Sequence, residues 1–180
     1  MFSARRWGIQ RVFIPCLSSL ILFSLAGSAF GDDGYRLWLR YEVLPSRIIA
    51  AYRPRVTAIV VTGNSATLNA IRGEFVNGLT GLLGSSVPVA SEITRDGAVV
   101  VGTPKSSPLI AGLHWETELS RLGPEGFRIR SVKLGALSIT VIASEGELGA
   151  LYGAFHFLRL MQTLQPINRL DVTQKPRVKL

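Results

Sequence analysis

Two short apolar runs constrain the fold of this chain more than any other feature of its sequence. They are Thr57-Ala58-Ile59-Val60-Val61 and Ala98-Val99-Val100-Val101. A strand with one solvated face alternates apolar and polar residues, whereas a run without alternation indicates a strand that is buried on both faces. We therefore expect both runs to be strands inside a sheet that other elements cover.

The segment between these strands predicts a helix over residues 66–83. Its apolar residues recur at steps of three and four, as one helix face requires: Leu68, Ile71, Phe75, Leu79 and Leu82. Gly63-Asn64-Ser65 supplies turn and N-cap chemistry before the helix, and Gly84 is suited to end it. Three internal glycines lower the helix propensity, so this helix must depend on packing against the sheet.

Further strands are predicted after Gly84. Val87-Pro88-Val89 is a short candidate edge strand, because proline cannot donate to a central ladder. Residues 127–134 and 137–143 predict a hairpin with a two-residue type II′ turn at Gly135-Ala136. The apolar residues of the first hairpin strand change faces, which predicts a bulge near Ser131. Residues 105–123 predict a loop, with at most a short helix at 107–111 and a turn at 116–122.

A final helix is predicted to run to about Leu164, before Pro166. Ser144 and Glu147 have the Ser-x-x-Glu spacing of a capping box. This helix has two apolar sides, of which one can cover the sheet and the other needs a partner. The first side holds Leu148, Leu151, Tyr152, Phe155 and Leu158, and the second holds Phe157, Leu160, Met161 and Leu164.

The order of these elements predicts an α+β domain with a single mixed β-sheet and two main helices packed on it, in the order β-α-β-β-β-β-α. Residues 32–41 alternate apolar and charged side chains, which indicates an edge strand or an extended arm. We place the domain at residues 32–170 and the start of a linker at 171–180.

Residues 1–31 have the pattern of a secretory signal peptide. Arg5, Arg6 and Arg11 precede an apolar run that ends in small residues near Ala29 and Gly31. Cleavage is expected after Ala29 or after Gly31, and the protein is then secreted, periplasmic or extracellular. A permanent membrane anchor is the alternative, although Pro15 and the serines weaken a spanning helix.

Removal of this segment changes the charge and cysteine content of the chain. The formal net charge falls from +8 to +5, with 17 basic and 12 acidic residues left among 149. Cys16, the single cysteine, is lost as well, so the mature domain must be held together by its core rather than by disulfides. That length suffices for one domain but not for a (β/α)8 barrel, which needs about 200 residues or more.

No active site is readable from the residues. His114 and His156 lack neighbours at metal-ligand spacing, and a packed role is favoured for His156 inside Phe155-His156-Phe157. The carboxylate pairs Glu116/Glu118 and Glu145/Glu147 fit solvated or capping roles. Phosphate-binding loops, dinucleotide-binding fingerprints and the Gly-x-Ser-x-Gly elbow are missing from the sequence. We therefore predict no catalytic, cofactor-binding or metal-binding residue and no cofactor.

Nucleic-acid binding is not indicated, because the basic residues are scattered. Only Lys175, Arg177 and Lys179 form a local cluster, at the end of the chain. A dispersed positive charge is typical of a solvated surface rather than of a nucleic-acid interface.

Three stretches and the chain end resemble the N-terminal domain of α-glucuronidases of glycoside hydrolase family 67. The stretches lie at residues 33–41, 122–131 and 151–160, and the closing one is Pro176-Arg177-Val178-Lys179-Leu180. The Glu-Gly-aromatic strand and the Tyr-Gly helix are shared more loosely with the N-terminal domains of β-N-acetylhexosaminidases. The resemblance covers essentially the whole mature chain and implies a hexosaminidase-like N-terminal fold.

The resemblance also implies a function. Enzymes of that family release 4-O-methylglucuronic acid from xylo-oligosaccharides by inversion, with two carboxylates on a catalytic barrel. None of those positions falls on this chain, which we expect to be inactive alone and to precede a missing barrel. The barrel, in cis or separately encoded, is the expected partner, and self-association through helix 147–164 is a further expectation.

A free-standing carbohydrate-binding or protein-interaction module is the alternative function. It would use the aromatic residues Trp38, Tyr41 and Trp115, which could contact xylo-oligosaccharide. The same aromatic residues could instead pack the arm onto the sheet.

Overall fold

The structure is a computed structural model, and it describes residues 41–176. Five α-helices and five strands are present in this part of the chain, with a 3-10 turn at Arg53–Arg55 after the first helix. The helices are α1 Ser46–Tyr52, α2 Ala66–Leu83, α3 Pro108–Ala111, α4 Glu116–Leu122 and α5 Glu147–Gln162. The strands are β1 Ala58–Val61, β2 Ala98–Gly102, β3 Phe127–Leu134, β4 Leu137–Ala143 and β5 Asp171–Gln174.

The strands form one mixed sheet in the order β1-β2-β4-β3-β5. Strands β1, β2 and β4 are parallel to one another, while β3 is antiparallel to both of its neighbours, β4 and β5. Helices pack on this sheet, so the predicted α+β arrangement is confirmed. Residues 171–174, which we assigned to the start of a linker, form the fifth strand. The predicted signal peptide and the predicted strand or arm at 32–40 lie outside the described residues.

Helix α2 has the bounds that its sequence predicts. The Ser65 side chain accepts a hydrogen bond from the Leu68 N–H, and Gly84 ends the helix with φ +64°. Both flanking strands are buried along their whole length, as their unbroken apolar runs predict. Val89 forms a single parallel bridge to Ile59 at the edge of the sheet, so the predicted edge strand is reduced to one pairing.

The sheet has a hydrophobic core on each face. For this reason β3 lacks the bulge that we predicted near Ser131. Ile59 and Val61 belong to the core beneath α2 and α5, whereas Ala58 and Val60 belong to the core beneath α3 and α4. The β3–β4 ladder runs without interruption from Arg128 opposite Ala143 to Leu134 opposite Leu137. Because either face can bury an apolar side chain, β3 changes apolar face without a bulge at Ser131.

The hairpin turn has the predicted geometry. Leu134 pairs with Leu137, which leaves Gly135 and Ala136 as a two-residue loop. Gly135 has φ +59°, and Ala136 is not among the residues with positive φ. A positive φ at the first loop position alone is the type II′ pattern.

The prediction of a turn at 116–122 is wrong, because these residues form α4, a helix of seven residues. Its buried Leu119 packs into the second core together with Trp115 and Ile110. Burial of Leu119 in this core stabilises a helix that is too short for a periodic pattern to be visible in the sequence. Within residues 41–176, no helix has both the length and the apolar character needed to cross a bilayer.

Helix α5 corrects two further predictions. It begins after Gly146 with no side-chain cap. The Ser144 hydroxyl accepts from the Gly146 N–H and donates to the Gly126 carbonyl, and Glu147 accepts from Ser65. Most of the side predicted to lack a partner is covered, since Phe157 and Met161 are fully buried and the Phe157 ring lies 6.0 Å from Phe75 of α2. Leu164, just after the helix, is 48% exposed, and on the other side Leu148 and Tyr152 are exposed.

Candidate functional site

The carboxyl ends of β1, β2 and β4 meet at one edge of the sheet. The chain leaves β1 and β4 towards α2 and α5 on one face, and it leaves β2 towards α3 on the opposite face. Connections that diverge in this way open a crevice outside the strand ends, where open α/β sheets bind their ligands. We therefore expect a functional site, if this domain has one, at this edge of the sheet.

Hydrogen bonds within the loop after β2 occupy its polar groups. The Thr103 N–H donates to the Ser106 Oγ at 2.9 Å, and the Ser106 N–H donates to the Thr103 Oγ1 at 3.1 Å. The Ser107 side chain accepts from the Ile110 N–H and caps α3. The hydroxyls of this loop fix its own backbone, so they form a structural turn.

The loops after β1 and β4 are joined by a side-chain hydrogen bond. The Ser65 hydroxyl donates to the Glu147 Oε2 at 2.5 Å and accepts from the Leu68 N–H at 3.1 Å. The Ser144 hydroxyl donates to the Gly126 carbonyl at 2.5 Å. The predicted capping pair is thus separated, because each member binds a residue distant in sequence.

A shallow groove of about 420 Å³ lies beside this edge, between the loop after β2 and α4. Its lining residues are Pro104, Lys105, Glu116, Thr117, Leu119, Ser120 and Glu145. The groove brings together one member of each predicted carboxylate pair, Glu116 and Glu145, while Glu118 and Glu147 bind other partners. Both groove carboxylates are exposed to solvent, where they are hydrated rather than held for proton transfer.

The two histidines occupy different surroundings and form no metal site. His114 is exposed with φ +56°, whereas His156 is half-buried with its ring 5.4 Å from that of Phe127. Burial, assisted by the charge of Arg159, lowers the pKa of His156. Residues 41–176 contain no cluster of three or more metal-ligating side chains. His156 therefore has the packed role that its flanking phenylalanines predict.

Trp115 does not present an open aromatic surface for a sugar. Only 8% of it is exposed, and the Arg128 and Arg130 guanidinium carbons lie 5.3 and 6.0 Å from its ring centroid. Arg128 also forms ion pairs with Glu118 of α4 and with Asp171 of β5. The tryptophan is thus stacked inside a charged network that ties α4 and β5 to β3. The alternation Arg128-Ile129-Arg130, which places both arginines on one face of a strand, is the sequence signal of this cluster.

The remaining aromatic candidates give no platform either. A Cβ atom built on Gly81 would lie 2.5 Å from the Tyr41 Cβ, so Tyr41 packs closely on α2, and its hydroxyl donates to Glu74. Trp38, Arg177 and Lys179 lie outside the described residues. Lys175 donates from Nζ to the Arg121 carbonyl at 3.0 Å. None of the described aromatic and basic candidates forms an open ligand site.

Comparison with known proteins links this fold to one group of enzymes. The family model described as Glycosyl hydrolase family 67 N-terminus matches residues 37–157. Alpha-glucuronidase A of Emericella nidulans is 30% identical over 154 residues, covering 81% of this chain and 17% of the relative. Alpha-glucuronidase of Hypocrea jecorina is 29% identical over 154 residues, covering 79% of this chain and 17% of the relative. The chain thus spans about a sixth of the length of these curated relatives.

A solved structure shares the fold at lower identity. It is a family GH115 4-O-methyl-α-glucuronidase described as specific for decorated arabinogalactans, and it superposes with a TM-score of 0.53 at 19% identity. The match covers 68% of this chain and 18% of the solved chain.

Proposed function

Because this chain belongs to glycosyl hydrolase family 67, whose N-terminal domain it carries, we propose that it serves as the non-catalytic N-terminal domain of a secreted α-glucuronidase. The complete enzyme would release 4-O-methylglucuronic acid from xylo-oligosaccharides during xylan degradation. The relatives' names support the glucuronidase activity, and the match to a sixth of their length supports a domain role. The substrate and the destination of the protein are part of the proposal.

The main support for this function is that the family match covers most of the elements of the folded domain. The match to residues 37–157 extends from before α1 into α5, and so it includes α2, most of α5 and four of the five strands. Inverting glycosidases need two carboxylates about 6.5–9.5 Å apart with a sugar between them, one held protonated. The carboxylates of the described groove are exposed and line a shallow surface, so the described residues are suited to support catalysis, not to perform it.

We predict that the purified chain releases no glucuronic acid from aldouronic acids. Its N-terminal domain supplies structure, whereas the acid and the base of an inverting glycosidase must flank the scissile bond. The measurement is glucuronic acid release at high protein concentration, with alpha-glucuronidase A of Emericella nidulans as the positive control. Release that persists after a contaminating enzyme has been excluded would contradict the proposal.

The secreted destination has a separate test. Expression of the full chain in a secreting host should yield a product that begins at Phe30 or at Asp32, according to which cleavage site is used. N-terminal sequencing of the product identifies its first residue. A product that keeps Met1 and stays with the membrane fraction would instead support the anchor alternative.

A further inference from the structure

One edge of the sheet is lined with basic residues. It is the edge opposite the groove, where β1, β2, β4 and β5 begin and β3 ends. Four short segments bound this edge, at residues 53–57, 91–97, 133–138 and 167–170. We call their five exposed basic residues the basic row: Arg53, Arg55, Arg95, Lys133 and Arg169.

The fold brings the first half of the basic row together from two segments that are distant in sequence. The Arg95 guanidinium donates from Nη2 to the Thr57 carbonyl at 3.4 Å, two residues after Arg55. A Cβ atom built on Gly97 would lie 2.2 Å from the Pro54 carbonyl oxygen, so the segment before β2 is packed against the segment before β1. Arg95 therefore lies beside the stretch that carries Arg53 and Arg55.

The second half of the basic row continues across the sheet. Lys133 pairs with Ser138, whose carbonyl accepts from the Gly97 N–H at 2.8 Å. The Ser131 N–H donates to the Leu170 carbonyl at 2.8 Å, which places Arg169 beside the end of β3. Because neighbouring strands lie about 4.8 Å apart, a row across five strands is roughly 19 Å long.

The charge of the basic row is only partly balanced. The four segments hold two carboxylates, Glu92 and Asp96, so five basic residues against two acidic ones leave a formal net charge of +3. The Asp96 Oδ1 accepts from the Ser138 N–H at 2.6 Å. Within residues 41–176, the ion pairs are those of Arg128 and Arg130, and none includes a member of the basic row. An exposed surface of one sign attracts a partner of the opposite sign.

The shape of the basic row indicates which kind of anion it fits. Its members lie along a line and not around one point, so anionic groups spaced along an extended polymer fit it better than a single small anion. Four of the five members are arginine, whose planar guanidinium group binds a carboxylate through two parallel hydrogen bonds. The opposite edge exposes Glu116 and Glu145, which would repel such a polymer.

We infer that the basic row binds the uronate carboxylates of an acidic polysaccharide such as glucuronoxylan. The inference rests on the proposed function, which supplies a polymer that carries uronate groups. Binding of this kind holds the enzyme on the polymer and raises the local concentration of the sites at which the complete enzyme acts. The basic row itself takes no part in bond cleavage.

Biolayer interferometry of the full chain on immobilised glucuronoxylan tests this inference. The reference surface carries the same xylan after chemical reduction of its carboxyl groups, which keeps the sugar backbone and removes the charge. Vesicles that contain phosphatidylglycerol form a third surface. Circular dichroism shows that each variant is folded.

Three double variants locate the contact. Arg55→Gln/Arg95→Gln removes two charges from the first half of the basic row, and Lys133→Gln/Arg169→Gln removes two from the second half. The matched control is Lys105→Gln/Arg121→Gln, which removes two exposed charges from the loop after β2 and from α4. All three variants have the same net charge, so a difference between them reports on position.

The native chain should bind glucuronoxylan but not the carboxyl-reduced xylan. Both variants of the basic row should bind at least about fivefold more weakly, and the control variant should change by less than about twofold. Raising the NaCl concentration from about 20 mM to about 200 mM should weaken binding at least about fivefold, because salt screens exposed charges. A loss in one variant of the basic row alone would restrict the contact to that half.

Several outcomes would overturn the inference and leave the proposed function standing. They are an absence of binding to glucuronoxylan, equal binding to the carboxyl-reduced xylan, and variants of the basic row that bind as the control variant does. Binding to the vesicles alone that both variants of the basic row lose would show that this edge faces a membrane, which also overturns the inference. Glucuronic acid released during the same incubations would instead contradict the proposed non-catalytic function, whatever the binding result.

Discussion

At the start of α2, a single hydroxyl group serves two helices. Ser65 caps α2 by accepting from the Leu68 N–H, and it also donates to Glu147 in the first turn of α5. A cap of this kind satisfies one of the N–H groups that a helix start leaves unpaired. The bond to Glu147 adds a tie between elements that are 82 residues apart in sequence.

We predict that Ser65→Ala lowers the free energy of unfolding by about 1–2 kcal/mol, because it removes the cap and leaves Glu147 without its donor. Urea denaturation followed by circular dichroism measures the change. Ser91→Ala, in an exposed loop, is the matched control and should change the free energy by less than about 0.5 kcal/mol. Equal effects of the two substitutions would show that the Ser65 hydroxyl does not join the helices.

His156 couples stability to pH. Burial lowers its pKa below the ordinary value of 6.5, and Arg159 acts in the same direction. The unfolded chain therefore binds a proton at a higher pH than the folded chain does. The contribution of His156 is complete above pH 6.5 and is lost as the pH falls from there towards the folded-state pKa.

We predict that lowering the pH from 7.5 to about 5.5 reduces the stability of the native chain more than that of His156→Gln, which lacks this titration. Urea midpoints at several pH values measure the difference. The control is His114→Asn, because asparagine tolerates the positive φ at this exposed position. A pH dependence of His156→Gln equal to that of the native chain would exclude His156 as its source.

Among the elements, α5 has glycine at two positions of its inner side, where neighbouring atoms approach closely. A Cβ atom on Gly153 would lie 2.6 Å from the Ile142 side chain, and one on Gly149 would lie 2.5 Å from the Gly126 carbonyl oxygen. Both distances are too short for a real contact. The small inner side of α5 thus sets its distance from β3 and β4.

We predict opposite effects for the same substitution in the two main helices. Gly153→Ala should destabilise the domain by about 1–3 kcal/mol through overpacking. Gly73→Ala should stabilise it by about 0.5–1 kcal/mol, because the added methyl meets nothing within 4 Å and restricts the unfolded chain. Thermal denaturation of both variants gives the two signs, and a stabilising Gly153→Ala would contradict the close packing of α5.

The elements that sequence reasoning predicts well are those with local determinants. Helix α2 carries its own period, its N-cap at Ser65 and its terminating Gly84, so its bounds follow from neighbouring residues. Helix α4 carries a single buried apolar residue, Leu119, and becomes a helix only through its contact with the second core. Ser144 is likewise engaged by Gly126, a partner that only the folded chain brings near.

At the scale of the molecule, the sequence of one element does not reveal which of its apolar sides another element covers. The second apolar side of α5 is real, but α2 covers it through the contact of Phe75 with Phe157. The residues around Trp115 do not reveal its packing either, because the guanidinium groups that lie over its ring belong to Arg128 and Arg130 of β3.

We predict that Phe157→Ala lowers the free energy of unfolding by about 3–5 kcal/mol, because it opens a cavity between α2 and α5. Tyr152→Ala, on the exposed side of the same helix, should cost less than about 1 kcal/mol. Urea denaturation of both variants measures the contrast. Similar losses would mean that the burial of these two aromatic residues differs little in solution.

The described chain ends just after β5, and this affects the affinity that an adjoining domain would need for this one. At this end Lys175 is bonded to the Arg121 carbonyl of α4, and a domain joined there by a short link would be held at a local concentration in the millimolar range. An interface with a dissociation constant of about 0.1 mM would then be mostly occupied, although two separate chains at micromolar concentration would hardly associate. Covalent continuity can thus substitute for a strong interface, and cutting the link would release the two parts.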